Sequence, residues 1–164
     1  MTVTVYKSTD ASAPVLTPQP GSVIALLDAC LVNGYGAKSA AGWTKPFSGT
    51  NAACYKQGSG NNMYLQVDNT VGTNAGVRGY ETMAGVSTGT GAFPQVASTP
   101  VLGWWVHSAV NATATDWIIV ATSAAFYIWM NYGQTASVFT NSQLYFFGDI
   151  VSYRDWETDR KSVV

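Results

Sequence analysis

Thr and Val alternate from Thr2 before giving way to Tyr6 and Lys7, a period of two that predicts a first strand over residues 2–7. Pro14, Pro18 and Pro20 then keep residues 8–20 out of regular structure. At Ser22 the period changes. Val23, Leu26, Leu27, Cys30 and Leu31 recur at helical spacing, with Ser22 as N-cap and Asn33-Gly34 supplying the left-handed stop. Asp28 falls opposite this stripe and is expected to face solvent, while the stripe itself lies on a sheet.

From Gly42 onward the pattern is one of short strands. Residues 42–47, 52–57, 63–68 and 76–83 are separated by the turn-forming runs 48–51, 58–62 and 69–74. Within 63–68, Met63, Leu65 and Val67 point one way and Tyr64, Gln66 and Asp68 the other. Residues 84–100, rich in Gly, Ser and Thr, are too long for a tight hairpin and read as an exposed excursion. Residues 102–108, 116–121, 125–131 and 143–151 are nearly continuous apolar or aromatic runs, the mark of strands covered on both faces, and are expected at the sheet centre. The expected fold is α+β: a predominantly antiparallel β-sheet with one main α-helix packed on one face, in a single domain over residues 1–153.

Composition sharpens this picture. Aromatic residues make up 13% of the 164 positions and charged residues only 10%, against about a quarter in ordinary domains. Disorder would need the reverse balance. Lys7, Lys38, Lys45, Lys56 and Arg78 are scattered and the net charge is −1, which argues against a nucleic-acid partner. The first six residues show neither the basic start nor the apolar run of a signal peptide, and no stretch reaches the length of about 18 apolar residues that spans a bilayer. Cys30 and Cys54 are too few for a disulfide framework and are expected to be buried free thiols.

The last eleven residues break character. They carry six charges, whereas the 153 residues before them carry eleven. Their closing Asp-Arg-Lys-Ser-Val-Val resembles a sequencing-library adapter translated in one frame. The expectation is that residues 154–164 are not native, that the gene was assembled from metagenomic reads, and that the natural protein continues past Tyr153.

No catalytic constellation emerges from the remaining residues. His107, the one histidine, has Ser108 as its neighbour, which on a strand points to the opposite face, so the pair cannot serve a Ser-His-Asp site. One His and two Cys give no metal-ligand spacing. Asp68, Glu81 and Asp116 are the carboxylates open to acid/base work of the glycosidase kind, or are plain surface charges beside Arg78 and Lys56. In the run from Gly34 to Ser39, Ala37 stands where a phosphate-binding loop needs glycine, and the glycines follow a helix instead of opening one. No catalytic residue, metal site or cofactor is assigned.

Aromatics are the remaining candidates. Trp43, Trp104, Trp105, Trp117 and Trp129, with Tyr127, either fill the core or form an outward platform for sugars or proteins. Trp104 and Trp105 are consecutive, so one should face in and the other out. A broad outward apolar patch would indicate assembly, and aromatics beside Asn, Gln or Asp in a groove would indicate glycan recognition.

Several blocks resemble a family of tailed-bacteriophage and prophage virion structural proteins. They are the opening from Thr4 to Thr17, Gly21 to Gly36, Gly42-Trp43-Thr44-Lys45-Pro46-Phe47, Met63 to Asp68, Val77 to Met83, and Phe147-Gly148-Asp149-Ile150. The resemblance spans residues 2 to about 153 and marks scaffold, not a site. It implies a non-enzymatic structural or assembly component of a virion, of tail or baseplate, made in the host cytoplasm. Its partners would be other virion proteins or copies of itself, without nucleic acid, membrane or cofactor. The alternative is a module that binds glycans or a host surface through exposed aromatics, and a third reading is a phage glycan hydrolase.

Overall fold

The structure, a computed structural model, describes residues 2–96, 98–132 and 141–149. Its elements run β1 (Thr4–Lys7), α1 (Ser22–Leu27), β2 (Thr44–Gly49), β3 (Ala52–Lys56), β4 (Tyr64–Asp68), β5 (Asn74–Tyr80), β6 (Thr82–Met83), β7 (Gly89–Thr90), β8 (Gln95–Val96), β9 (Thr99–Pro100), β10 (Gly103–Val106), β11 (Asp116–Ala121), β12 (Ala125–Asn131) and β13 (Ser142–Gly148). The α+β class, with antiparallel pairing throughout the named strands and a single short helix, is as the sequence predicts. The expected strand at 143–151 is described only as far as Gly148, and the charged tail lies outside the described residues.

The strands form two main sheets, not one. One has the order β1-β11-β12-β13 and the other β10-β5-β4-β3-β2. A single buried cluster lies between them. It takes Tyr6, Trp117, Ile119, Phe126, Ile128 and Met130 from the first sheet, and Tyr55, Leu65, Val67, Val77 and Trp105 from the second. On one side the sheets meet directly. Trp105 stacks on Tyr145 at 5.4 Å, and the Tyr145 hydroxyl accepts the Val106 N–H at 2.8 Å.

On the other side the helix belongs to the same core. Val23, Leu26, Leu27, Cys30 and Leu31 are all buried, as their spacing predicts. After Leu27 the helix widens into a π-helical turn, Asp28–Asn33, closed by the Gly34 N–H on the Ala29 carbonyl at 2.8 Å. Gly34 has φ of 78°, the left-handed stop that its residue type predicts.

Three local expectations change. Ser22 is the first helical residue and not the cap: Gly21 holds that position, and the Ser22 hydroxyl accepts the Thr17 N–H at 2.8 Å. Asp28 does not point to open solvent. Tyr55 donates to it at 2.9 Å and Lys45 pairs with it at 2.6 Å, because β3 and β2 lie beside that flank of the helix. The four apolar runs do not share a sheet centre. β10 lies at the edge of the five-stranded sheet, while β11, β12 and β13 belong to the other.

Candidate functional site

The side chains of the four-stranded sheet sort into two faces by register. On the inner face, Tyr6 lines up with Ile119, Ile128 and Tyr145. On the outer face Val5, Val120, Tyr127 and Phe146 form one row across all four strands, and Lys7, Ile118, Trp129 and Leu144 form the next. Seven of these eight outer residues are apolar or aromatic. Tyr127 and Phe146 are cross-strand partners whose rings sit 4.8 Å apart. Leu144 is 65% exposed and Tyr127 49%; Val5, Ile118 and Phe146 are exposed too, with Val120 and Trp129 half-buried. Charge enters only at one end of the sheet. There Lys7 and Asp116 flank a shallow hollow of about 190 Å³ over Ile118 and Trp129, and Ser8 donates to Asp116 at 3.2 Å.

At the β13 margin Phe146 also lines a larger cavity of about 330 Å³, shared with Phe93, Phe147, Met63, Asn61 and Asp149. Phe93 and Phe147 stack there at 6.1 Å, nearly parallel. Both oxygens of Asp149 have partners inside the protein. The Asn61 N–H reaches Oδ2 at 2.7 Å and the Gln57 amide reaches Oδ1 at 3.2 Å.

The free edge of β1 is closed by side chains. Lys38 donates to the Val5 carbonyl at 2.8 Å, and the Asp10 carboxylate accepts the Lys7 N–H at 2.9 Å. The Lys7 N–H, with help from the Tyr35 hydroxyl and Lys38, holds the Asp10 carboxyl below its ordinary range. Polar side chains seated on an edge in this way obstruct strand addition. Of the outer face and the β1 edge, it is the face that the described residues leave open.

The predicted aromatic residues separate accordingly. Trp43, Trp105 and Trp117 are buried and unavailable as platforms, so of the two readings these three candidates take the core one. Their rings fill the space between the sheets. The indole N–H of Trp43 is satisfied by the Thr122 carbonyl at 2.7 Å and that of Trp117 by the Pro14 carbonyl at 3.1 Å. Trp129 lies on the apolar outer face. Trp104, 57% exposed beside buried Trp105, lies on the other sheet, away from that face. Val5, Ile118, Val120, Leu144 and Phe146 were not among the residues that composition pointed to. Their signal was the Thr/Val alternation of β1 and the nearly continuous apolar runs of β11 and β13, and the face each side chain takes was legible only once the register was known.

The candidate chemical groups do not converge. Asp68 lies opposite Gly76 at one end of the β4–β5 pair, Glu81 follows Tyr80 at the other end, and Asp116 belongs to the other sheet. Asp68 bonds the Thr70 hydroxyl and Arg78 reaches the Val101 carbonyl, so the proposed Asp68/Glu81 pairing with Arg78 or Lys56 is not what holds them. Cys30 and Cys54 are buried and free, with burial raising both thiols, Cys54 to about 11. Among the described residues no group of three His, Cys, Asp or Glu is placed to hold a metal ion, and no helix is long and apolar enough to cross a membrane. Comparison with protein-family models, with curated proteins and with solved structures finds no match.

Proposed function

We propose that the protein is a non-enzymatic structural component of a bacteriophage virion, of tail or baseplate, that assembles through the outer face of its four-stranded sheet. One observation carries this reading. β11 and β12 have the composition of strands covered on both faces, yet their outer residues Ile118 and Tyr127 stay exposed in the single chain. A neighbouring virion protein or another copy supplies the missing cover. The phage setting rests on the resemblance of residues 2–153 to virion structural proteins.

A test of the surface is to replace Tyr127 by Ser and Leu144 by Asp together and follow association by sedimentation, alone and with the products of neighbouring genes. Loss of association with an unchanged melting temperature supports the reading; association unaffected by both substitutions rejects it. The setting is tested by sequencing the source DNA through the codon for Tyr153 into the flanking genes. Tail or capsid genes there support a virion role, and a non-phage neighbourhood removes it.

The cavity bounded by Phe93, Phe146, Phe147, Asn61 and Asp149 favours a second reading, glycan binding, since it sets aromatic rings beside polar groups. Assembly is preferred because both Asp149 oxygens already serve the protein's own Asn61 and Gln57. Binding of oligosaccharides on a glycan array, lost on Phe146→Ala, would reverse that preference.

A further inference from the structure

We propose that His107 and Asn69 form an acid-sensitive latch that ties the start of the helix to the β4–β5 turn and to the segment after β10. Asn69 is fully buried, and its amide orientation is fixed by the backbone around it. Oδ1 accepts the Val23 N–H at 3.0 Å, while Nδ2 faces the carbonyls of Val71 at 2.9 Å and Asn74 at 3.2 Å. Its own backbone is held as well, the N–H by the Asn51 carbonyl at 2.8 Å and the carbonyl by the Gly21 N–H at 3.0 Å.

The same Nδ2 lies 3.0 Å from Nε2 of the buried His107 ring. Nδ2 has two hydrogens to share among the two carbonyls and this ring nitrogen, and an N–H on Nε2 would oppose them, so Nε2 is left as an acceptor and the neutral ring carries its proton on Nδ1. Nδ1 is buried with no partner among the described residues. Protonation would place an N–H on Nε2 and set donor against donor. Turning the Asn69 amide to relieve the clash would present Nδ2 to the Val23 N–H and Oδ1 to two carbonyls. Either way the latch opens, and it loosens the helix start, the 69–74 turn and the His107 backbone, whose N–H bonds the Thr73 carbonyl at 3.0 Å.

Among the described residues no charge steadies the protonated ring. Burial alone holds its pKa down to about 4. The carboxylate next in sequence to Asn69, Asp68, is bound by the N–H and hydroxyl of Thr70. α1 has no acidic residue in its first turn, β10 carries none, and Arg78 of β5 is engaged with Val101 and the Tyr80 hydroxyl. With the folded pKa below the unfolded value near 6.5, the stability is complete above pH 6.5 and is lost as pH falls toward 4.

The chain has one histidine, so ring nitrogen NMR of the full protein reads His107 without assignment. The expected result is the Nδ1–H tautomer at pH 7, persisting without protonation to well below pH 6. An Nε2–H tautomer, or titration near 6.5, overturns the proposal. In chemical denaturation the folding equilibrium constant should fall by about tenfold per pH unit between about 6.5 and 4. His107→Gln, whose amide oxygen can accept from Asn69, should lose that slope relative to wild type; the same slope in both proteins also overturns it. If His107→Gln does not fold, the tautomer and titration decide alone.

Discussion

The two sheets share one core but have opposite outer faces. The five-stranded sheet turns Cys54, Gln66 and Arg78 outward in register, and the chain covers them itself. Cys54 donates to the Val86 carbonyl at 3.1 Å, and Arg78 reaches the Val101 carbonyl, so residues from the Gly/Ser/Thr excursion and from the turn after it lie over that face. The four-stranded sheet turns out two apolar rows and leaves Ile118, Tyr127 and Leu144 exposed. The chain covers the outer face of the five-stranded sheet and bonds Cys54 and Arg78 there, with Trp104 exposed at its β10 margin, whereas the described residues leave the two apolar rows of the other sheet uncovered. An uncovered apolar face is costly in water for a lone chain and becomes favourable once a partner covers it.

The contrast can be broken most forcefully beneath the open face. Trp117→Ala removes a fully buried ring and should cost about 3–5 kcal/mol in urea denaturation. Its outward neighbour Ile118→Ala should cost no more than about 1 kcal/mol. Equal losses would mean that the outer row is packed as tightly as the inner one.

Gly79→Ala comes next. Its new Cβ would run into the Phe93 ring, where the excursion crosses the edge of β5, and overpacking of this kind costs about 1–3 kcal/mol. A melting temperature unchanged from wild type would show that the excursion is free to shift. Arg78→Ala on the covered face should cost about 1–2 kcal/mol through its lost bonds to the Val101 carbonyl and the Tyr80 hydroxyl. Lys7→Ala on the open face should stay within about 0.5 kcal/mol.

The smallest effect is kinetic. With its thiol raised to about 11, roughly one Cys54 in a thousand is thiolate at pH 8, so labelling by a thiol reagent should be slow. Val86→Ser, which loosens the cover, should speed labelling of Cys54 and leave Cys30 unchanged. Labelling of Cys54 at the rate of a free cysteine in the wild type would mean that the face is not covered.

Much of the fold was legible in the chain because local patterns carried it. The spacing of Val23, Leu26, Leu27, Cys30 and Leu31 located the helix and its buried stripe, and β11 and β12 have the bounds that their apolar runs predict. Trp104 and Trp105 face opposite ways, as consecutive strand residues must. Less was legible where two segments distant in sequence decide an environment. Asp28 meets Lys45 and Tyr55 across the turn of the chain, which no helical period records. His107 depends on Asn69, 38 positions away, and nothing in either neighbourhood marks the other.

The sequence alone determined the antiparallel class, the one helix, the punctuation by Gly, Pro and Asn, and the surplus of apolar residues over what one face of a strand needs. Period and turn chemistry are properties of neighbouring residues, so they can be read along the chain. Tertiary structure alone decided that the strands divide into two sheets, that Trp43, Trp105 and Trp117 fill the core, and that the apolar surplus lines one open face. Strand partners are chosen by burial and register across the whole chain. A run such as Asp116–Ala121 has the same alternation whether its second face meets its own chain, another protein or water.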